Sequence, residues 1–285
     1  MTLALDTVYG IVRTILPFEC FQDEWQILGL LAVLLLTPLL GLLGTMAVNR
    51  RMAFFSDALG HSALAGAGLG MILGIQNQLV SMVIFGVIWA ILISRINRSG
   101  GASADTVISV FSSGGIALGL LVLAREKGFS RLMVGDIVAV EPSDLPWLLL
   151  ALVVGSGIWA LLYNPLLLTA VNPALAQSRG VKTNWAEYAF AVLLAVVVML
   201  AIQWVGVLLI NALLILPAAA ARNVSRTAAQ HALFSVLIGL LCGVAGLAIS
   251  YYLAYTVPGI SAGAAIVLCA VACYGITLPL RRRVR

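Results

Sequence analysis

Long apolar runs separated by short polar connections are the feature of this chain that most limits its fold. Apolar residues make up 62% of the 285 residues and charged residues only 9%, whereas soluble domains contain roughly 45–50% and about 25%. A helix that crosses a bilayer needs about 20 apolar residues. The runs predict about nine such helices, and the residues left over are too few for a soluble catalytic domain. We therefore predict an all-α polytopic membrane protein with a single transmembrane domain over residues 1–285.

Nine spans can be placed on the sequence, with eight as the alternative count. They are residues 25–48, 53–74, 79–93, 106–124, 145–170, 187–204, 205–221, 231–254 and 262–280. Pro217 is expected to interrupt the seventh span, because proline removes a hydrogen bond from a helix. Residues 1–20 place apolar side chains on one helical face and polar ones on the other. This segment is predicted to be an amphipathic helix that lies in the membrane interface.

Basic residues are distributed unequally between the two sides that nine spans define. With the carboxyl terminus inside, 12 of the 16 basic residues fall on the inner side. The inner residues are Arg50, Arg51, Arg95, Arg98, Arg179, Lys182, Arg222, Arg226, Arg281, Arg282, Arg283 and Arg285, and the outer ones are Arg13, Arg125, Lys127 and Arg131. Cytoplasmic loops carry an excess of Lys and Arg, so the pattern predicts an outer amino terminus and a cytoplasmic carboxyl terminus. The same clustering between apolar runs argues against nucleic acid as a partner.

The second predicted span carries an acid and an imidazole, Asp57 and His61. A charged side chain at the centre of a transmembrane helix costs at least about 2.5 kcal/mol, and a functional role is the default interpretation. The spacing of four residues places both side chains on one helix face. Together they suit a divalent cation such as Zn²⁺, Mn²⁺ or Fe²⁺. The alternative is an Asp–His hydrogen bond that only ties helices together.

A short helix is predicted within residues 172–182, on the inner side. Asn172 is a good N-cap, Pro173 suits the first helical position, and Gly180 suits the residue just past the end. A helix of about two turns is marginal in water. Either the rest of the chain or a partner must therefore hold it, and a plain connecting turn is the alternative.

A few other polar or soft groups lie within the apolar runs. Asn211, six residues before Pro217, either lines a path or forms a hydrogen bond between helices. Cys269 and Cys273 share a helix face and could present two soft metal ligands, although a buried cysteine usually behaves as a small hydrophobic residue.

The chain lacks the sequence motifs by which proteins bind and hydrolyse ATP. A phosphate-binding loop needs a lysine after glycine, and the two lysines, Lys127 and Lys182, follow Glu126 and Val181. The zinc-protease pattern H-E-x-x-H and the hydrolase pattern G-x-S-x-G are also missing. The chain is therefore not predicted to be an enzyme.

Three stretches of the sequence resemble the metal-ion permeases of ATP-binding-cassette importers, the zinc, manganese and iron uptake group. Residues 50–66, RRMAFFSDALGHSALAG, are similar to the second-span signature of that family. Residues 205–222, which end in LPAAAAR, are similar to its second signature, and residues 172–182 to its cytoplasmic coupling helix. The likeness runs in register over nearly the whole chain.

The resemblance implies the membrane-spanning subunit of an ATP-driven importer of divalent metal ions in a bacterial cytoplasmic membrane, with no cofactor of its own. Two copies would pair around a central path, with two copies of a separate ATPase beneath and a soluble metal-binding protein outside. Asp57 and His61 would bind the metal, and Asn211 is the candidate for lining the path. The residues expected to couple to the ATPase are Asn172, Pro173, Leu175, Arg179 and Gly180.

Other classes of function are compatible with parts of the sequence. A secondary transporter driven by an ion gradient explains an intramembrane Asp and His equally well, as a proton relay, but does not require the capped inner helix. An importer of a larger metal chelate would need a wider, less charged path, in which Asp57 and His61 are out of place. An intramembrane enzyme is the least compatible class, since one carboxylate and one imidazole are too few for the usual catalytic sites.

Overall fold

The structure, a computed structural model, describes residues 9–10, 12–14, 20, 22–123, 137–254 and 261–280, and these ranges contain helices and no strand. The helices are α1 Glu24–Asn49, α2 Phe55–Ile72, α3 Gln78–Arg98, α4 Ala104–Leu123, α5 Leu145–Val171, α6 Pro173–Ser178, α7 Thr183–Val205, α8 Val207–Val224, α9 Ala228–Ala254 and α10 Ala262–Thr277. A 3₁₀ turn, Ile137–Ala139, precedes α5. The all-α prediction is confirmed for the described residues.

Seven of the described helices are long and apolar enough to cross a membrane, namely α1, α3, α4, α5, α7, α8 and α9. The other two predicted spans coincide with α2 and α10, which have 18 and 16 residues. In α2 the apolar content is diluted by Asp57, His61, serines and glycines. These helices agree with the prediction of a multi-pass membrane protein, while the count of nine spans and the orientation of the termini stay predictions.

Pro217 does not interrupt its helix, contrary to the expectation from the sequence. Helix α8 continues from Val207 to Val224 with Pro217 inside it. Neighbouring helices can hold the two halves of such a helix in line. Pro217 is buried, and Gly239 of α9 lies against its ring, so α9 supports α8 where the backbone hydrogen bond is lost.

The boundary between α7 and α8 falls at a single residue, Gly206. Its φ of 80° and ψ of 164° belong to a region that essentially only glycine adopts. Helix α7 therefore ends at Val205 and α8 begins at Val207, close to the predicted boundary. Several other boundaries differ more, and the two largest differences are that α3 extends to Arg98 and that α7 begins already at Thr183.

Part of the predicted interfacial segment over residues 1–20 lies outside the described residues. Residues 9–10 and 12–14 are helical, and Tyr9 packs against Ile27 and Leu28 of α1. Residues 1–8, 11 and 15–19 of that segment, residues 124–136 and the tail 281–285 lie outside the described residues. An interfacial position of residues 1–20 stays a prediction.

Helix α1 contacts α5, α8 and α9 and supplies much of the buried core. At Gly44 its backbone approaches α8 so closely that a Cβ atom would overlap the carbonyl oxygen of Leu214. Small residues allow transmembrane helices to approach in this way. This contact fixes α8, the helix that carries Asn211, against the centre of the bundle.

We expect the substitution Gly44→Ala to destabilise the protein by about 1–3 kcal/mol or more, because overpacking costs this much and a backbone carbonyl cannot move aside. Thermal unfolding of the detergent-solubilised chain measures the effect as a lower melting temperature. Gly157→Ala is the matched control, since nothing lies within 4 Å of the added atom. Equal melting temperatures for the two variants would contradict this account of the contact between α1 and α8.

Candidate metal-ion site

Helix α2 presents an acid and an imidazole on one face. Asp57 lies in the first turn of α2, where the unpaired backbone N–H groups of a helix favour a negative charge. His61 follows one turn later, and its Nε2 atom lies 3.5 Å from Oδ1 of Asp57. The structure thus brings the two together on one face, as their spacing predicts.

Two further helices hold the carboxylate of Asp57. Nδ2 of Asn211, on α8, donates a hydrogen bond to Oδ1 at 3.0 Å. Oγ of Ser112, on α4, donates to Oδ2 at 3.3 Å. The hydrogen bond between helices that was one alternative for Asn211 is therefore present, and its acceptor is the predicted metal ligand.

Ser112 is a site residue that sequence reasoning missed. Serine is common where membrane helices pack, so its occurrence in the fourth span carries no signal by itself. Only the packing of α4 against α2 shows its role. The glycine spacing at Gly115 and Gly119 was the one available indication, because such spacing marks a face that another helix approaches.

Glycines allow the close packing around Asp57. A Cβ atom on Gly115 would lie 3.0 Å from the backbone nitrogen of Ser62, and one on Gly119 would lie 2.8 Å from Cβ of Leu64. Gly60 similarly faces the side chain of Val207 on α8. Because these positions lack side chains, α4 and α8 come near enough to α2 for short polar side chains to reach the carboxylate.

Two polar atoms at the site are buried and have no hydrogen-bond partner among the described residues, Nδ1 of His61 and Oδ1 of Asn211. A carboxylate beside Nε2 favours the proton on that nitrogen, which leaves Nδ1 with a free lone pair. An unsatisfied buried polar atom costs about 1–3 kcal/mol. Both atoms carry free electron pairs, which is the property that a ligand of a cation needs.

The side chain of Asp57 is 39% exposed and that of His61 16% exposed, so the pair is accessible from one side. Within the described part of the chain, no group of three or more His, Cys, Asp or Glu side chains is arranged to hold a metal ion. One chain offers a carboxylate and an imidazole, with amide and hydroxyl oxygens from Asn211 and Ser112 beside them. Zinc usually takes four ligands from cysteine, histidine and carboxylate side chains, and this site supplies two of that kind.

Three cysteines lie close to one another on α9 and α10. Cys269 and Cys273 are free thiols on α10, and Cys242 on α9 is a buried free thiol near Cys273. The hypothesis that Cys269 and Cys273 bind a soft metal stays untested.

The predicted capped helix is present as α6. Oδ1 of Asn172 accepts hydrogen bonds from the backbone nitrogens of Ala174 and Leu175 at 3.0 and 3.1 Å, and Gly180 has a φ of 76°. Only Ala176 of this helix is buried, while Leu175 is 43% exposed. The segment therefore forms a helix rather than a plain connecting turn, and most of the surface of this helix is exposed.

Apolar helices long enough to cross a membrane surround a carboxylate and an imidazole in this bundle, and ionisable groups in such positions are typically functional. The profile of the ABC 3 transport family matches residues 22–280, which is most of the chain. The chain therefore belongs to the ABC 3 transport family, and the resemblance drawn from its signatures is confirmed.

Individual relatives agree with this assignment. The chain is 36% identical over 236 residues to the manganese import system permease protein ScaB of Streptococcus parasanguinis, with 80% of each chain covered. It is 28% identical over 259 residues to the high-affinity zinc uptake system membrane protein ZnuB of Haemophilus influenzae, with 90% of this chain and 97% of that protein covered.

Two solved structures share the fold. PsaBC from Streptococcus pneumoniae in complex with Fab contains a chain with a TM-score of 0.77 and 27% identity, and the match covers 96% of both chains. An inward-facing conformation of a putative metal-chelate type ABC transporter has a TM-score of 0.72 over 97% of this chain and 98% of that one. At 16% identity the second likeness bears on the fold alone.

We expect Asn211→Ala to weaken the binding of divalent manganese by about tenfold or more, since hydrogen bonds to charged groups contribute about 1.5–3 kcal/mol. Electron paramagnetic resonance of Mn²⁺ titrated into the purified chain measures the affinity. Asn223→Ala on the same helix is the matched control, because its Nδ2 atom donates to Thr277 at 3.2 Å rather than to Asp57. Equal affinities in the two variants would show that Asn211 does not contribute to metal binding.

Proposed function

We propose that the chain is the membrane-spanning permease subunit of an ATP-driven importer of divalent metal ions, with manganese or zinc as the substrate. The observation that carries the proposal is the pair of Asp57 and His61 on one face of α2, held by α4 and α8 inside an apolar bundle. Membership of the ABC 3 transport family supports it. So do the names of relatives that import manganese and zinc.

In this proposal Asp57 and His61 bind the metal, and Asn211 lines the path beside them. Two copies of the chain pair so that both acid–imidazole pairs face one path. Four such ligands match the coordination number that zinc prefers. The exposure of Asp57 within one chain supports this arrangement, because it leaves one side of the carboxylate open to further ligands.

ATP hydrolysis takes place in a separate ATPase subunit, and α6 is the coupling helix that contacts it. The exposed surface of α6, with Leu175 as its apolar group and Arg179 as its charged end, supports this role. Asn172, Pro173 and Gly180 set the two ends of the helix. A soluble metal-binding protein delivers the ion to the outer face of the permease, which lies in a bacterial cytoplasmic membrane.

The uptake test uses cells that express the chain with its ATPase and binding protein. Asp57→Ala combined with His61→Ala should reduce the uptake of radioactive manganese or zinc to background, because both ligands of each copy are lost. Asp105→Ala is the control, since this exposed acid lies in the first turn of α4, away from the pair. Full uptake by the double variant would refute the site, and uptake without a functional ATPase would favour the ion-gradient alternative.

The proposed orientation predicts which residues an impermeant thiol reagent can reach. The test starts from a chain in which all four native cysteines are replaced by alanine: Cys20, Cys242, Cys269 and Cys273. Asn77→Cys should then be labelled from outside in intact cells, and Leu175→Cys only in inverted vesicles. Binding of the ATPase should protect position 175. Protection of position 77 from outside reagent would show that the proposed topology is wrong. Unchanged labelling at position 175 when the ATPase is bound would show that α6 does not contact it.

A further inference from the structure

A nearly buried arginine at the end of α1 bonds to the chain on both sides of α6. Arg50 follows the last residue of α1, and its side chain is only 10% exposed. Its Nη1 atom donates to Oγ1 of Thr169 at 3.0 Å, and its Nη2 atom lies 2.6 Å from Oε1 of Glu187. Thr169 lies on α5, which comes before α6 in the chain, and Glu187 lies on α7, which comes after it. One guanidinium group therefore bonds to the chain on both sides of the proposed coupling helix.

Glu187 also bonds to the end of a third long helix. Its second carboxylate oxygen lies 3.1 Å from Nη1 of Arg98, the last residue of α3. Arg98 donates in addition to Oδ1 of Asn184 and lies 5.9 Å from the centre of the Tyr188 ring. Of the three ion pairs found among the described residues, two converge on Glu187.

The connection from Arg50 to the metal ligands is short and internally bonded. The backbone nitrogen of Met52 donates to the carbonyl of Ala47 at 2.8 Å, and that of Phe55 donates to Met52 at 3.0 Å. Asp57 lies in the helical turn that begins at Phe55. A displacement of Arg50 is therefore carried into the first turn of α2 rather than absorbed by a loose loop.

The two ion pairs differ in what they contribute. Arg98 is 33% exposed, and exposed pairs add little to stability. Arg50 is nearly buried, and charge-assisted hydrogen bonds of buried groups are strong and directional. Removing the charge of Glu187 thus loosens the link between α7 and α2 more than it weakens the bundle as a whole.

We propose that Glu187 is a positioning residue that transmits the movement of α6 to the metal site through Arg50, and so couples ATP hydrolysis in the partner to metal transport. The inference rests on the proposed function, because it takes α6 as the element that the ATPase moves. Glu187 does not touch the metal ion. Its charge keeps α7 bonded to the residues before α2, so that a movement of the 172–182 segment reaches the start of α2.

The experiment uses liposomes that contain the permease with its ATPase and are supplied with the binding protein. Glu187→Gln should lower the ratio of metal ions transported to ATP hydrolysed by about fivefold or more, the low end of typical coupling between sites. The affinity of the purified variant for Mn²⁺ and its co-purification with the ATPase should stay at the wild-type level. A purely structural role would instead lower affinity, assembly and melting temperature together.

Asp105→Asn is the matched control, because Asp105 is an exposed acid that takes part in no ion pair among the described residues. Arg98→Gln leaves the pair of Arg50 and Glu187 in place and should lower the ratio less than Glu187→Gln does. Thr169→Val removes the hydrogen bond from Arg50 to α5. If Glu187→Gln fails to fold, this variant is used in its place.

An unchanged transport ratio in Glu187→Gln, or in Thr169→Val where the first variant does not fold, would overturn the inference. A loss of metal affinity equal to the loss of transport would overturn it as well. A wild-type complex that hydrolyses ATP without moving metal would refute the proposed function instead, so the two failures are distinguishable.

Discussion

The hydrogen bonds to the carboxylate of Asp57 are the interaction on which the arrangement of this bundle depends. An acid inside an apolar helix bundle is costly unless polar groups surround it, and here α4 and α8 each contribute one donor. Those donors reach the carboxylate only because glycines let the helix backbones approach. The close packing at the glycines is therefore needed for the hydrogen bonds to the carboxylate, and those hydrogen bonds in turn stabilise the packed helices.

The parts of the structure that the sequence could predict are those that adjacent residues of the chain determine. Apolar runs place most of the helices within a few residues, because their length is set by the bilayer. The caps at Asn172 and Gly180 are local, so they predict α6 correctly. The acid and imidazole on one face follow from helix geometry alone. These features depend on neighbours in the chain, which the sequence displays.

What the sequence could not predict depends on contacts between distant segments. Pro217 was expected to interrupt α8, but support from α9 keeps that helix continuous. Ser112 joins the site through the packing of α4 on α2, and its local sequence indicates that packing only through the spacing of the glycines that follow it. The bonds of Arg50 to Thr169 and Glu187 join residues more than a hundred positions apart. Such pairings arise only when the helices are assembled.

The glycines around the carboxylate have a consequence for how far the sequence of this bundle can vary. A Cβ atom on Gly60, Gly115 or Gly119 would come within 2.6–3.0 Å of an atom on a neighbouring helix. The helices would have to separate, and the hydrogen bonds that Asn211 and Ser112 donate to the carboxylate would lengthen. A mutation that carries no charge and alters no ligand can therefore disable the site.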